Sequence, residues 1–145
     1  MDRVAPAGPI YQAGTLSGNP MAMAAGHATL SLMTPAAYEK LEKTSARLAE
    51  GLVAAASAAK VPVQVNRVGS MLTVFFSGKP VFDAASARAC DTKRFAVFHR
   101  VLLENGAYLP PSQFEAAFLS TAHGDDEVEL TLRAAAAAFE AAAKA

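Results

Sequence analysis

Val63-Gln64-Val65-Asn66-Arg67-Val68-Gly69-Ser70-Met71-Leu72-Thr73-Val74-Phe75-Phe76 alternates at first and then turns almost wholly apolar, and that change decides the fold class. Val63 and Val65 alternate with Gln64 and Asn66, the period of a strand buried on one face. Gly69-Ser70 breaks the run, and Met71 to Phe76 is apolar enough for a strand covered on both faces. Two strands joined by so short a break form an antiparallel hairpin. Gly78-Lys79-Pro80 closes it.

Helical patterns lie on both sides. Asn19-Pro20 supplies a cap followed by a proline at the first helical position, and Met21 to Met33 is nearly continuous in apolar residues. A helix apolar all round is expected to be buried on most sides. Thr34-Pro35 repeats the start signal for a helix to about Ala59. Tyr38, Leu41, Leu48 and Leu52 form its apolar face, with Glu39, Lys40, Glu42, Lys43 and Arg47 mostly opposite. Beyond the hairpin, Val81 to Cys90 reads as loop with one helical turn. Asp91-Thr92 caps a helix that stops at Asn105-Gly106. Short strands are expected at Ala107 to Leu109 and Ala116 to Ser120, on either side of Pro110-Pro111. Asp125, Asp126 and Glu127 suit the positive end of a last helix running to Ala143. The expectation is an α+β fold, with a small, mostly antiparallel sheet and helices packed on one face.

Composition narrows the functional classes. Thirteen basic and thirteen acidic residues give a formal net charge of +0, so no basic surface for nucleic acid is indicated. The apolar runs are too short to span a membrane, and the N-terminus has no signal-peptide pattern. Cys90 is the lone cysteine, which excludes an intrachain disulfide and suits a reducing, cytoplasmic location. It reads as a small buried hydrophobe with no adjacent base. His27, His99 and His123 do not cluster, so a metal site is not expected. His27 reads as a packed helix residue, His99 as a surface residue, and His123 as a possible cap for the last helix.

Two segments could carry chemistry. In Tyr11-Gln12-Ala13-Gly14-Thr15-Leu16-Ser17-Gly18-Asn19-Pro20, a glycine and a hydroxyl precede a helix start, which suits either a phosphate contact or an ordinary capped loop. Ser112-Gln113-Phe114-Glu115 follows a double proline and reads as an exposed turn or a binding loop.

Taken together, Tyr11 to Pro20, Val65-Asn66-Arg67-Val68-Gly69-Ser70-Met71 with Phe75-Phe76, Asp91-Thr92-Lys93-Arg94-Phe95, Tyr108 to Glu115 and Ser120-Thr121-Ala122-His123 resemble the C-terminal part of the class III aminotransferases, and within them the aminomutase branch acting on glutamate-1-semialdehyde. Gly18-Asn19-Pro20 is shared across class III. The Asn66 to Ser70 and Ser112 to Glu115 segments are more specific to the aminomutases. The resemblance runs nearly end to end. It departs at Ala117, where the family commonly has glycine, and at Gly124, where it commonly has threonine.

The resemblance implies a homodimeric fold type I enzyme that uses pyridoxal 5'-phosphate. Such an enzyme moves an amino group between adjacent carbons to form 5-aminolevulinate for tetrapyrrole (porphyrin) synthesis. It places residues 1–33 at the end of a large cofactor-binding domain and residues 34–145 in the C-terminal small domain. By the same resemblance, Gly14 and Thr15 contact the phosphate of the cofactor held mainly by the neighbouring subunit, and Tyr11 and Glu115 are substrate-site candidates. The family's lysine that carries the cofactor would precede Met1. Lys40, Lys43, Lys60, Lys79, Lys93 and Lys144 match no catalytic position, so the chain alone is expected to be inactive, without covalently bound cofactor. The absence of arginine between Tyr108 and Ser120 agrees with the aminomutases, which lack the usual carboxylate-binding arginine there. The alternatives are a stand-alone binding or oligomerisation domain, and the C-terminal part of another class III aminotransferase.

Overall fold

A computed structural model describes all residues, Met1–Ala145. It divides into two compact units, Met1–Pro35 and Ala36–Ala145.

In the first unit, a backbone bridge joins Val4 and Ile10, and helix α1 spans Pro20–Leu32. Asn19 caps α1 as its sequence requires. Its Oδ1 accepts from the Met21 and Ala22 amides at 3.1 and 3.2 Å. None of the residues of α1 is buried, His27 included, which corrects the expectation of a helix covered on most sides. Its apolar residues encircle the axis and give it no single face to lay on a core.

The second unit holds helix α2 (Pro35–Ala58, its first residue in the first unit), strands β1 (Gln64–Val68) and β2 (Met71–Phe75), helices α3 (Ala84–Arg88) and α4 (Thr92–Glu104), strand β3 (Ala117–Phe118) and helix α5 (Asp125–Ala142). The strands form one antiparallel sheet in the order β1-β2-β3, with Val65 opposite Val74 and Leu72 opposite Ala117. The α+β class and the hairpin stand as the sequence implied.

The strand β2 is covered less completely than its composition suggested. Leu72 and Val74 are buried, while Thr73 and Phe75 are half-buried and Met71 is exposed. The buried face meets Leu48 and Leu52 of α2, Phe95, Phe98 and Leu102 of α4, and Ala135 and Phe139 of α5 in one core. Aromatic rings fill its centre. Phe98 and Phe139 have centroids 4.5 Å apart, and Phe76 lies edge-on to Phe98 at 5.4 Å. Alanines at 134, 135, 138 and 142 bring α5 close to α4. Tyr38, expected on the apolar face of α2, is instead exposed; Leu41, Ser45, Leu48, Leu52 and Ala56 form the buried stripe.

No strand forms at Ala107 to Leu109. Gly106 adopts φ +83° after α4, which turns the Ala107 amide back onto the Leu102 carbonyl at 3.0 Å. The Leu109 carbonyl is taken by His99, and Pro110 and Pro111 have no N–H to give a ladder.

Candidate functional site

In the first unit, Tyr11, Gly14 and Thr15 all lie in exposed loop. The Ser17 amide donates to the Gly14 carbonyl at 3.1 Å and the Asn19 amide to the Leu16 carbonyl at 3.0 Å, so the segment folds into two successive turns before α1. A Cβ at Gly14 would lie 2.2 Å from the Ser17 hydroxyl oxygen, so a side chain there would force the Ser17 hydroxyl to rotate away. The absence of a side chain at Gly14 leaves room for the Ser17 side chain beside it.

The start of α1 itself is already occupied. Pro20 has no N–H, Asn19 Oδ1 takes the next two amides, and the Met23 amide bonds to the Asn19 carbonyl at 2.9 Å. An anion here would therefore be held by the Thr15 and Ser17 hydroxyls and by turn amides other than that of Ser17, which bonds to Gly14, with the helix dipole acting only at a distance. These uncharged donors fit a phosphate group and would not hold a metal ion.

In the second unit, the segment Tyr108 to Glu115 is fixed at several points. His99 Nε2 lies 2.9 Å from the Leu109 carbonyl oxygen. The Ser112 hydroxyl accepts from the Phe114 amide at 3.2 Å, and the Glu115 amide donates to the Ser112 carbonyl at 3.1 Å. The Thr73 hydroxyl donates to the Glu115 carbonyl at 3.3 Å. Gln113 is not part of an exposed turn. It is 2% exposed, and neither polar atom of its side chain has a hydrogen-bond partner in the chain.

Glu115 is exposed at the rim of a groove of about 360 Å³, lined also by Tyr108, Pro110, Phe118, His123 and Glu127. His123 does not cap α5. Its Nδ1 accepts from the Ser120 amide at 2.9 Å and closes the turn before the helix. The α5 start is closed by Glu127, whose Oε2 accepts from the Gly124 amide at 2.7 Å. That hydrogen bond holds the Glu127 carboxyl below the usual range. His99 is also not the surface residue expected. It stacks on Phe95 at 6.3 Å and meets Tyr108 edge-on at 6.1 Å. Neither role of His99 or His123 is readable from spacing, since both depend on where a loop carbonyl or amide falls.

Cys90 is buried and its thiol donates to the Ser86 carbonyl at 3.3 Å; burial pushes its pKa up, away from nucleophilic use. All six lysines are exposed, and Lys40 donates to the Thr121 carbonyl at 2.9 Å. The structure contains no group of three metal-binding side chains and no helix long and apolar enough to cross a membrane.

No family model matches the chain. Its curated relatives are informative. It is 78% identical over 144 residues to the glutamate-1-semialdehyde 2,1-aminomutase of Anaeromyxobacter sp. (strain K), covering 99% of this chain and 34% of that protein. It is 58% identical over 145 residues to that of Myxococcus xanthus (strain DK1622), again covering 34% of the relative. The chain thus spans about a third of the length of the curated relatives it matches. Among solved structures, it resembles a glutamate-1-semialdehyde-aminomutase from Pseudomonas aeruginosa PAO1 with a TM-score of 0.79 at 26% identity, covering 92% of this chain and 30% of that one. It also resembles an omega-transaminase from Sphaerobacter thermophilus, with a TM-score of 0.75 at 30% identity, covering 93% of this chain and 31% of that one. The match to the aminomutases covers nearly the whole chain, and the chain belongs to the glutamate-1-semialdehyde 2,1-aminomutase family, corresponding to its C-terminal part.

Proposed function

We propose that these residues form the C-terminal part of a pyridoxal 5'-phosphate-dependent aminomutase that converts glutamate-1-semialdehyde to 5-aminolevulinate, in the cytoplasm, for tetrapyrrole synthesis. The observation that carries this is the 78% identity over 99% of the chain. The cofactor, when bound, would supply the electron sink that lets the carbon bearing the amino group lose its proton. This chain's contribution is to bind and orient. Gly14 and Thr15 hold the cofactor phosphate with a backbone amide and a hydroxyl, across the interface of a homodimer. Tyr11 and Glu115 face the substrate; the Glu115 carboxylate attracts the substrate ammonium and can hold a proton.

On this reading, residues 1–33 close the large cofactor-binding domain and residues 34–145 form the small domain. The lysine that carries the cofactor lies outside this chain. An amine that bonds to the cofactor must be free of its proton, which desolvation or a neighbouring cation achieves. The six lysines here are all exposed. The chain alone is therefore inactive.

The test is an assay of the full-length protein with glutamate-1-semialdehyde and no added oxo acid. An isomerisation needs no amino acceptor, so 5-aminolevulinate accumulates catalytically. A requirement for an oxo acid, with its conversion to an amino acid, would assign the protein to ordinary transamination instead.

A further inference from the structure

The geometry points to His99 as a positioning residue for Glu115, acting through the backbone of the segment Leu109 to Glu115. The proposal rests on the placement of Glu115 at the substrate site. A carbonyl oxygen can only accept, so the ring nitrogen 2.9 Å from the Leu109 oxygen is a protonated Nε2 that donates. The ring is itself held rigidly. It rises from α4, stacks on the buried Phe95 at an interplanar angle of 24°, and meets Tyr108 on its other side.

Little freedom remains between Leu109 and Glu115. Pro110 and Pro111 fix two φ angles. The next four residues close the Ser112–Glu115 turn, within which the Gln113 side chain is buried. At the far end, Thr73 of β2 holds the Glu115 carbonyl. The segment is thus a stiff strap tied to α4 at one end and to the sheet at the other. His99 at Leu109 and Thr73 at Glu115 together set the backbone from which the Glu115 side chain projects. A misplacement of about 1 Å at a reacting centre can cost about 10²-fold in rate, so a modest slip of the strap is sufficient to matter.

The test uses the full-length protein and compares His99→Leu, His99→Gln, Glu115→Gln and the double variant His99→Leu/Glu115→Gln. The readouts are kcat and KM for 5-aminolevulinate formation, with Tm measured on each. His99→Gln keeps an N–H donor near the Nε2 position. We expect Glu115→Gln and His99→Leu each to lower kcat by about tenfold or more, and His99→Gln to recover most of that loss. The double variant should be no slower than Glu115→Gln alone, because the strap no longer carries a useful carboxylate. A purely structural role would lower Tm and multiply the two losses instead. If His99→Leu fails to fold, Thr73→Val, which removes the other tie without changing shape, takes its place in the same cycle. Full activity in the folded His99→Leu protein, or losses that multiply, would overturn the proposal alone. Full activity in Glu115→Gln would remove Glu115 from the substrate site, and the proposal with it.

Discussion

Gln113→Met should make the 145-residue chain more stable, which is unusual for a substitution at a buried site. Gln113 is 2% exposed, and both its Oε1 and Nε2 lack hydrogen-bond partners. At 2% exposure the amide has almost no access to bulk solvent, so hydration offers it little relief. A buried polar group left unpaired costs about 1–3 kcal/mol. Methionine has nearly the same length and volume and no polar group to satisfy. Removing the amide should therefore raise stability by about 1–3 kcal/mol, even after small packing losses. At a urea m-value of about 2 kcal/mol/M, the midpoint rises by about 0.5 M or more, with the m-value unchanged. Gln113→Glu is the opposite control. A buried carboxylate has its pKa raised on folding, so this variant is destabilised above about pH 4.3 and recovers in acid. An unchanged or lower urea midpoint for Gln113→Met would refute the reasoning and mean that the amide is hydrogen-bonded in the folded protein.

Three further outcomes are expected. The Glu127 carboxyl is held low in the folded chain, chiefly by the Gly124 amide, so its contribution is complete above its unfolded value of about 4.3 and is lost as pH falls through the lower folded value. Glu127→Gln, which cannot ionise, should flatten the acid limb of a stability profile measured by urea denaturation from pH 7 to pH 3; an identical limb would remove Glu127 from the account. Thr15→Val in the full-length protein deletes a hydroxyl donor to a charged group, worth about 1.5–3 kcal/mol, so the cofactor dissociation constant should rise by about one to two orders of magnitude; an unchanged constant returns the segment to a capped loop. The chain alone, treated with pyridoxal phosphate and borohydride, should show only scattered labelling of its exposed lysines, and stoichiometric labelling of one lysine by mass spectrometry would contradict the placement of the cofactor lysine elsewhere.

What could be read from the sequence was local. Asn19-Pro20 and Asp91-Thr92 announce helix starts through side chains that bond to amides two and three residues on, and both caps form. The hairpin follows from period and a two-residue break. What was missed depends on partners distant in sequence. The carbonyl that His99 holds belongs to a residue 10 positions away, and its choice cancels a strand that composition favoured. Gln113 looks like turn chemistry because its neighbours are proline and serine, yet its side chain is buried. The apolar ring of α1 reads as burial, but none of its residues is buried. At the candidate site, Gly14 and Thr15 were visible as residue types. That the helix amides beside them are already capped by Asn19 became visible only in the fold.

The central claim is that these residues complete a glutamate-1-semialdehyde aminomutase. The most direct measurement replaces the aligned C-terminal third of the Anaeromyxobacter sp. (strain K) enzyme with this chain and follows 5-aminolevulinate formation. At 78% identity, the account predicts a chimera that binds cofactor and turns over within about tenfold of the parent, a change of about 1.4 kcal/mol or less in the barrier. A folded, dimeric, cofactor-loaded chimera that forms no 5-aminolevulinate would contradict it.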